Sequence, residues 1–248
     1  MTIETVLPIP DIFDAKRVLC IQPHYDDNDI AAGGTFAQLA KNGAEVIYLT
    51  VTDDLAGVVD TSLSADAATQ ALARDQQASG NIIGVKEQIL LNYPDAGEYD
   101  YFALRRDILK YIRLIKPDFV FTCDPWLTYE AHHDHIQTGH AVAEAILFSG
   151  IRKIPSSDPA VDAAYKDHFI NGVGFYYSRE PNQIVDITST WEAKVAAMRS
   201  YATQIPPDDA DQLVMAFQLK SQQICTGKDF QYGEPFKVLH PRALHCGL

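Results

Sequence analysis

Three runs constrain this chain most: RVLCIQ at Arg17–Gln22, EVIYLTVT at Glu45–Thr52 and DFVFTC at Asp118–Cys123. Each is rich in apolar, β-branched and aromatic residues with little polar alternation, the pattern of a strand buried on both faces. Segments with helical spacing lie between them. Asp29–Asn42 sets Ile30, Phe36, Leu39 and Ala40 at helical intervals and stops at Asn42-Gly43, a common helix ending. Ala65–Ile83 reads as a helix closed by Gly84. Tyr101–Ile115 reads as another, with Leu104, Ile108, Leu109, Ile112 and Ile115 in phase and Pro117 beyond its end. Gln88–Leu91 reads as a short strand and Thr138–Phe148 as a helix. Strands separated by helices predict an α/β fold, a Rossmann-like, mostly parallel sheet with helices on both faces.

The second half is less regular. Gly172–Tyr177 and Gln183–Ile187 read as strands, Thr190–Thr203 and Asp209–Gln223 as helices, and Ile154–His168 as a surface insertion. No repeat or linker divides the 248 residues, so one domain over 1–248 is expected, with 1–16 as an N-terminal extension.

Charge and cysteine usage narrow the setting. With 33 acidic against 20 basic residues the formal net charge is -13, and no Lys/Arg run interrupts it, which argues against a nucleic-acid partner. No apolar run is long enough to span a bilayer. The opening MTIETVLPIPDIFDAKR lacks the basic and apolar regions of a signal peptide. Cys20, Cys123, Cys225 and Cys246 form no CxxC pair; Cys20 and Cys123 sit in strand patterns as small buried hydrophobes. A reducing, cytoplasmic setting follows as the expectation.

In open α/β sheets, ligands bind beyond the carboxyl ends of the strands. Four polar clusters follow strands here: His24, Asp26 and Asp27; Asp53 and Asp54; Tyr93 to Ala96; and His132 to His135. All four are predicted on one rim. Imidazoles and carboxylates are costly to crowd unless a cation or a reaction uses them. A mixed nitrogen and oxygen donor set without thiolate suits catalytic zinc, which takes three protein ligands and leaves a position for water.

The two clusters at His24 and His132 resemble the motifs of the LmbE/PIG-L family of zinc-dependent N-deacetylases. The family's first motif, P/A-H-P-D-D-E, stands here as Pro23-His24-Tyr25-Asp26-Asp27-Asn28, and its H-P-D-H as His132-His133-Asp134-His135. Ala32-Gly33-Gly34-Thr35 resembles the family's G-G-T helix start. Arg74 resembles the head of R-x-x-E, with Gln77 for the acid, and Tyr93-Pro94-Asp95 resembles P-D-G, with Ala96 for the glycine. Lys194 to Gln204 resembles K-x-x-A…Y-x-S-Q, and Tyr232 to Phe236 the late E-x-F segment, so the likeness runs from about Arg17 to Lys237.

The resemblance implies an LmbE-like fold and removal of acetyl from an N-acetylglucosamine-type amino sugar or its glycoside. It implies that His24, Asp27 and His135 hold Zn²⁺, or another divalent metal such as Fe²⁺, and that Asp26 is the general base. His132 would stabilise the oxyanion and protonate the leaving amine, with Asp134 orienting that ring. Arg74 and Asp95 would touch sugar hydroxyls. A trimer or hexamer follows by the same analogy. Tyr25 for proline frees the backbone and places a ring beside the site, Asn28 stands for a glutamate, and His133 for a second proline.

Plainer readings compete residue by residue. Asp29, and less so Asp26 and Asp27, can cap the next helix. His133 points away, His140 packs or is solvated, and Asp53 and Asp54 form a solvated loop edge. Trp126, Tyr129 and Tyr99 stack on a sugar or simply pack. Other functions compete too: a same-fold metal enzyme catalysing hydration or other amide hydrolysis, an all-helical HD-type phosphohydrolase on His133-Asp134, a receiver-like Mg²⁺ switch, and an inactive metal-binding carbohydrate module.

Overall fold

The computed structural model describes residues 3–245, so Cys246 lies outside it. In chain order the elements are α1 (Ile3–Val6), β1 (Arg17–Gln22), α2 (Asp27–Lys41), β2 (Glu45–Thr52), α3 (Ala65–Ile83), β3 (Glu87–Tyr93), α4 (Tyr101–Ile115), β4 (Phe119–Cys123), α5 (His133–Phe148), α6 (Pro159–Ala164), β5 (Gly172–Tyr176), β6 (Gln183–Asp186), α7 (Trp191–Met198), α8 (Pro207–Ile224) and β7 (Gly233–Leu239). Seven strands form one sheet in the order β3-β2-β1-β4-β5-β7-β6. The five from β3 to β5 are parallel. β7 runs antiparallel between β5 and β6. A seven-stranded sheet excludes the all-helical phosphohydrolase.

The period-two geometry of a strand sorts the core into two layers. Val18 and Cys20 of β1 face Phe36 of α2, Tyr48, Phe121 and Trp191. Leu19 and Ile21 face the opposite side, with Leu104, Ile108 and Ile112 of α4 and Val142 and Ile146 of α5. The predicted limits of α3 and α4 coincide with the observed ones because both carry explicit stops. Ser64 caps α3, accepting from Ala67 N–H at 3.3 Å, and Gly84 ends it at φ 89°. Asp100 caps α4, accepting from Ala103 N–H at 2.7 Å, and Lys116 ends it in the left-handed region at φ 54°.

Three expectations need correction. α5 starts at His133, not Thr138, so the histidine motif is itself the first helical turn. α7 ends at Met198 rather than Thr203, and residues 199–206 turn back toward the rim. The insertion at Ile154–His168 is not merely surface: it carries α6, whose Asp162 accepts from the buried Arg113 guanidinium at 2.6 Å. β7 carries only a short alternation, at Phe236, Lys237 and Val238, to reveal it. It carries Glu234, which accepts from Gly34 and Thr35 N–H at 3.0 and 2.8 Å and pairs with buried Lys194 at 2.5 Å.

Candidate active site

The strand order reverses between β1 and β4, which makes the carboxyl end of that pair the switch-point crevice of the sheet. The loops after β1 and β4 both end there in histidines and aspartates. The chain leaves β1 through Pro23 and enters α2 at Asp27. Asp26 holds the N-cap position, yet its side chain makes no capping hydrogen bond, so capping does not account for it. A cleft of about 390 Å³ opens above, lined by residues from all four predicted clusters, including His24, Asp26, Asp27, Asp54, Asp95, His132 and His135.

His24 is the hub. Its Nδ1 lies 3.2 Å from Asp27 Oδ2. Its Nε2 lies 3.3 Å from Asp95 Oδ1 and 3.5 Å from Asp134 Oδ2, without hydrogen-bond geometry to either. His135 Nε2 lies 3.4 Å from Asp27 Oδ1. His24, Asp27 and His135 therefore bring one donor atom each to within 4.8 Å of one another. His24, Asp95, His132 and Asp134 do the same on the other side of the ring. Burial disfavours charge on His24, but the carboxylates of Asp134, Asp27 and Asp95 outweigh it and raise the imidazole far above its usual range. The surrounding carboxylates thus favour a positive charge at the centre of the cluster.

Of the two sets, the first has its carboxylate free for an ion. Asp134 is already engaged. Its Oδ1 accepts from the Tyr99 hydroxyl at 2.9 Å and its Oδ2 from Ala96 N–H at 2.9 Å. Asp95 is similarly occupied, with Oδ2 accepting from Ala56 N–H at 3.0 Å. Asp27 accepts only from His24, whose backbone N–H reaches Oδ2 at 3.1 Å. The mixed nitrogen and oxygen donors of His24, Asp27 and His135 fit a borderline divalent ion.

Asp26 is raised well above the usual carboxylate range by burial and by the carboxylates of Asp27 and Asp54. His132 is lowered by burial and by His24 and His135, which disfavour charge on its ring. Asp134 Oδ2 stands 3.9 Å from His132 Nδ1, farther than from His24, so it steadies His24 at least as much as His132.

Several sequence expectations change here. Arg74 is exposed on α3 and does not line the cleft. The α3 side chains turned inward are Leu72 and Gln76, the latter donating to Thr50 Oγ1 at 2.7 Å. Asp54 is no solvated edge. It is 2 % exposed, lines the cleft and accepts from Tyr25 N–H at 2.9 Å. The Tyr25 ring leaves the cleft and packs with Leu72 and Tyr201. Asp29 does not cap α2; it is buried and accepts from the hydroxyls of Tyr48, Ser79 and Tyr201. His133 is exposed and His140 packs against Trp126. Ala96 takes the left-handed region at φ 52°, which explains why the resembling motif prefers glycine there. The sequence reading missed Glu130, whose Oε1 accepts from His132 N–H at 2.8 Å. It also gave Gln204, a cleft residue, no role.

Comparison with known proteins decides the family. A model of the PIG-L family, described as GlcNAc-PI de-N-acetylase, matches residues 19–146. This chain belongs to the PIG-L family. It is 38% identical over 196 residues to a diacetylchitobiose deacetylase of Thermococcus kodakarensis, covering 79% of this chain and 72% of that one. It is 28% identical over 230 residues to a 1D-myo-inositol 2-acetamido-2-deoxy-alpha-D-glucopyranoside deacetylase of a Mycobacterium, covering 76% and 74%. Among solved structures, the N,N'-diacetylchitobiose deacetylase of Pyrococcus horikoshii superposes with a TM-score of 0.84 at 35% identity, covering 94% of this chain and 87% of that one. Among the described residues, no helix is long and apolar enough to cross a membrane.

Proposed function

We propose that this PIG-L family chain is a metal-dependent hydrolase that removes the acetyl group from an N-acetylglucosamine-type amino sugar or its glycoside. The observation that carries this reading is the convergence of His24, Asp27 and His135 at the sheet's switch point, beside an Asp26 carboxylate that caps nothing. The relatives named as deacetylases of such sugars support it.

His24, Asp27 and His135 would hold the metal, zinc or a similar ion such as Fe²⁺. Bound there, such an ion polarises the amide carbonyl and lowers the pKa of water toward neutrality. Asp26 takes a proton from the attacking water as its oxygen bonds to the carbonyl carbon. His132, at the cleft wall, donates its ring N–H to the oxygen that gains charge. Asp134, pinned by Tyr99 and Ala96, holds the imidazoles beside it in place. As the C–N bond breaks, the proton taken by Asp26 passes to the amine nitrogen. Acetate and a free amino sugar leave.

Three free, buried thiols, Cys20, Cys123 and Cys225, suit the cytoplasm as the compartment. The test is metal content and acetate release together. Wild type should carry near-stoichiometric divalent metal and release acetate from N,N'-diacetylchitobiose. Asp27→Ala should lose the metal. Asp26→Asn should keep it and lose turnover by about 10²–10⁴-fold. Absence of metal after reconstitution, or undiminished turnover in Asp26→Asn, overturns the reading.

A further inference from the structure

The cleft holds polar atoms that the metal donors do not use. Asp54 adopts φ 56° and ψ 23°, a left-handed conformation that favours glycine and that aspartate tolerates better than most residues. Its Oδ2 is anchored by Tyr25 N–H at 2.9 Å, a donor that the proline usual at this point of the motif cannot supply. Its Oδ1 faces the bare Cα of Gly57. A Cβ on Gly57 would stand 3.2 Å from Asp54 Oδ1 and 2.9 Å from Gln204 Nε2. The carboxylate oxygen and the amide nitrogen therefore both abut Gly57, and all three residues line the cleft. Gln204 Oε1 is buried without a hydrogen-bond partner.

Both walls of this space are built firmly. The Leu55–Gly57 turn is held by Ala56 N–H on Asp95 Oδ2 at 3.0 Å. The segment carrying Gln204 is held by Thr203 N–H on Asp75 Oδ2 at 2.7 Å, and Val59 N–H reaches Thr203 O at 3.2 Å. Preorganised polar atoms on supported loops are the hallmark of recognition rather than of packing.

We propose that Asp54 Oδ1 and the Gln204 amide form a subsite for one hydroxyl of the sugar ring, seated over Gly57. The proposal rests on the deacetylase reading above. A hydroxyl both donates and accepts, which matches a carboxylate acceptor beside an amide donor. An ammonium group would meet the amide N–H, and an anion would meet the carboxylate. An apolar substituent would leave both unpaired.

The experiment uses metal-loaded enzyme turning over N,N'-diacetylchitobiose. Methyl N-acetylglucosaminide and its 3-deoxy, 4-deoxy and 6-deoxy forms compete, and Ki is measured for each. In wild type, one deoxy form should bind about tenfold or more worse than the parent. In Gln204→Ala and Gly57→Ala that difference should fall below about threefold, because the parent sugar weakens. Asp54→Gly, which suits the φ of 56°, should behave likewise, and metal content should stay at the wild-type level in all three. Equal Ki values for all four sugars in wild type, or the same deoxy penalty in wild type and variants, overturns the subsite while the deacetylase reading stands. No turnover of any N-acetylated sugar by metal-loaded wild type overturns both.

Discussion

Glu130 Oε2 lies 3.6 Å from His135 Nδ1, on the side of the ring away from Asp27. The other carboxylate oxygen holds His132 N–H at 2.8 Å, and His135 Nδ1 has no hydrogen bond, so one carboxylate lies beside both histidines of the motif and is the acceptor within reach of that ring nitrogen. A carboxylate behind a ligating imidazole sets its tautomer and direction, and its loss costs about 10–100-fold in metal affinity. Glu130→Ala should therefore weaken binding of the proposed metal by that factor, read with zinc in competition with a chromophoric chelator. Glu130→Gln, which keeps an acceptor for His132 N–H, should lose less.

Asp54 makes the metal-free protein pH-sensitive in a definite direction. Burial, chiefly, pushes its pKa up from 3.8 to about 7, with Asp95 and Asp27 adding to it and His24 opposing. The folded state thus holds this proton more tightly than the unfolded chain. The stabilisation is complete below about pH 4 and is lost as pH rises through about 7. A shift of this size corresponds to roughly 4 kcal/mol. Urea midpoints measured at pH 5 and pH 8 should fall more for wild type than for Asp54→Asn.

The parallel half of the sheet was legible because its strands are continuous apolar runs and its helices carry explicit stops, such as Gly84 and Pro117. The rim was legible because histidines and aspartates followed those strands. Other features depend on contacts that no local pattern encodes. β7 reads GEPFKVL, whose alternation is confined to Phe236, Lys237 and Val238 behind a Gly-Glu-Pro opening, and it is a strand because β5 and β6 flank it. Asp54 reads as loop polarity until the fold sets it against Tyr25 N–H. The position of Arg74 is geometric: at helical spacing it falls on the outer face of α3, two residues from the inward Leu72 and Gln76.

Asp162 anchors the segment that the sequence presented as a surface insertion. Its carboxylate meets Arg113 at 2.6 Å, and that guanidinium also donates to Ser149 O and Ile151 O at 3.3 and 3.1 Å. The Arg113 side chain is 1 % exposed. Removing one partner of such a pair leaves a buried charge uncompensated, at a cost of about 3–5 kcal/mol. Asp162→Ala should lower the unfolding free energy by that amount, whereas Asp167→Ala, whose partner Arg152 is solvent-exposed, should change it by less than about 1 kcal/mol. Equal effects in chemical denaturation would show that α6 is not tied to the core.

Asp29 carries a different load. Tyr48 donates to its Oδ1 at 2.6 Å, and Tyr201 and Ser79 donate to its Oδ2, the former at 2.5 Å. The three hydroxyls come from β2, α3 and the turn after α7, so one carboxylate joins three elements beneath the first turn of α2. Its own N–H reaches Asp26 O at 3.1 Å, which ties the cluster to the backbone that carries the proposed base. Asp29→Leu removes every acceptor and leaves three buried hydroxyls unpaired, at about 1–3 kcal/mol each. Tyr201→Phe removes one donor and leaves Asp29 with two, so its cost should be about 1–2 kcal/mol. Urea denaturation should therefore rank the variants wild type, Tyr201→Phe, Asp29→Leu, with the last losing at least about 3 kcal/mol. A smaller loss in Asp29→Leu than in Tyr201→Phe would mean that the apolar replacement packs well enough to do without the carboxylate, and that the hydroxyl cluster does not hold the base of the site in place.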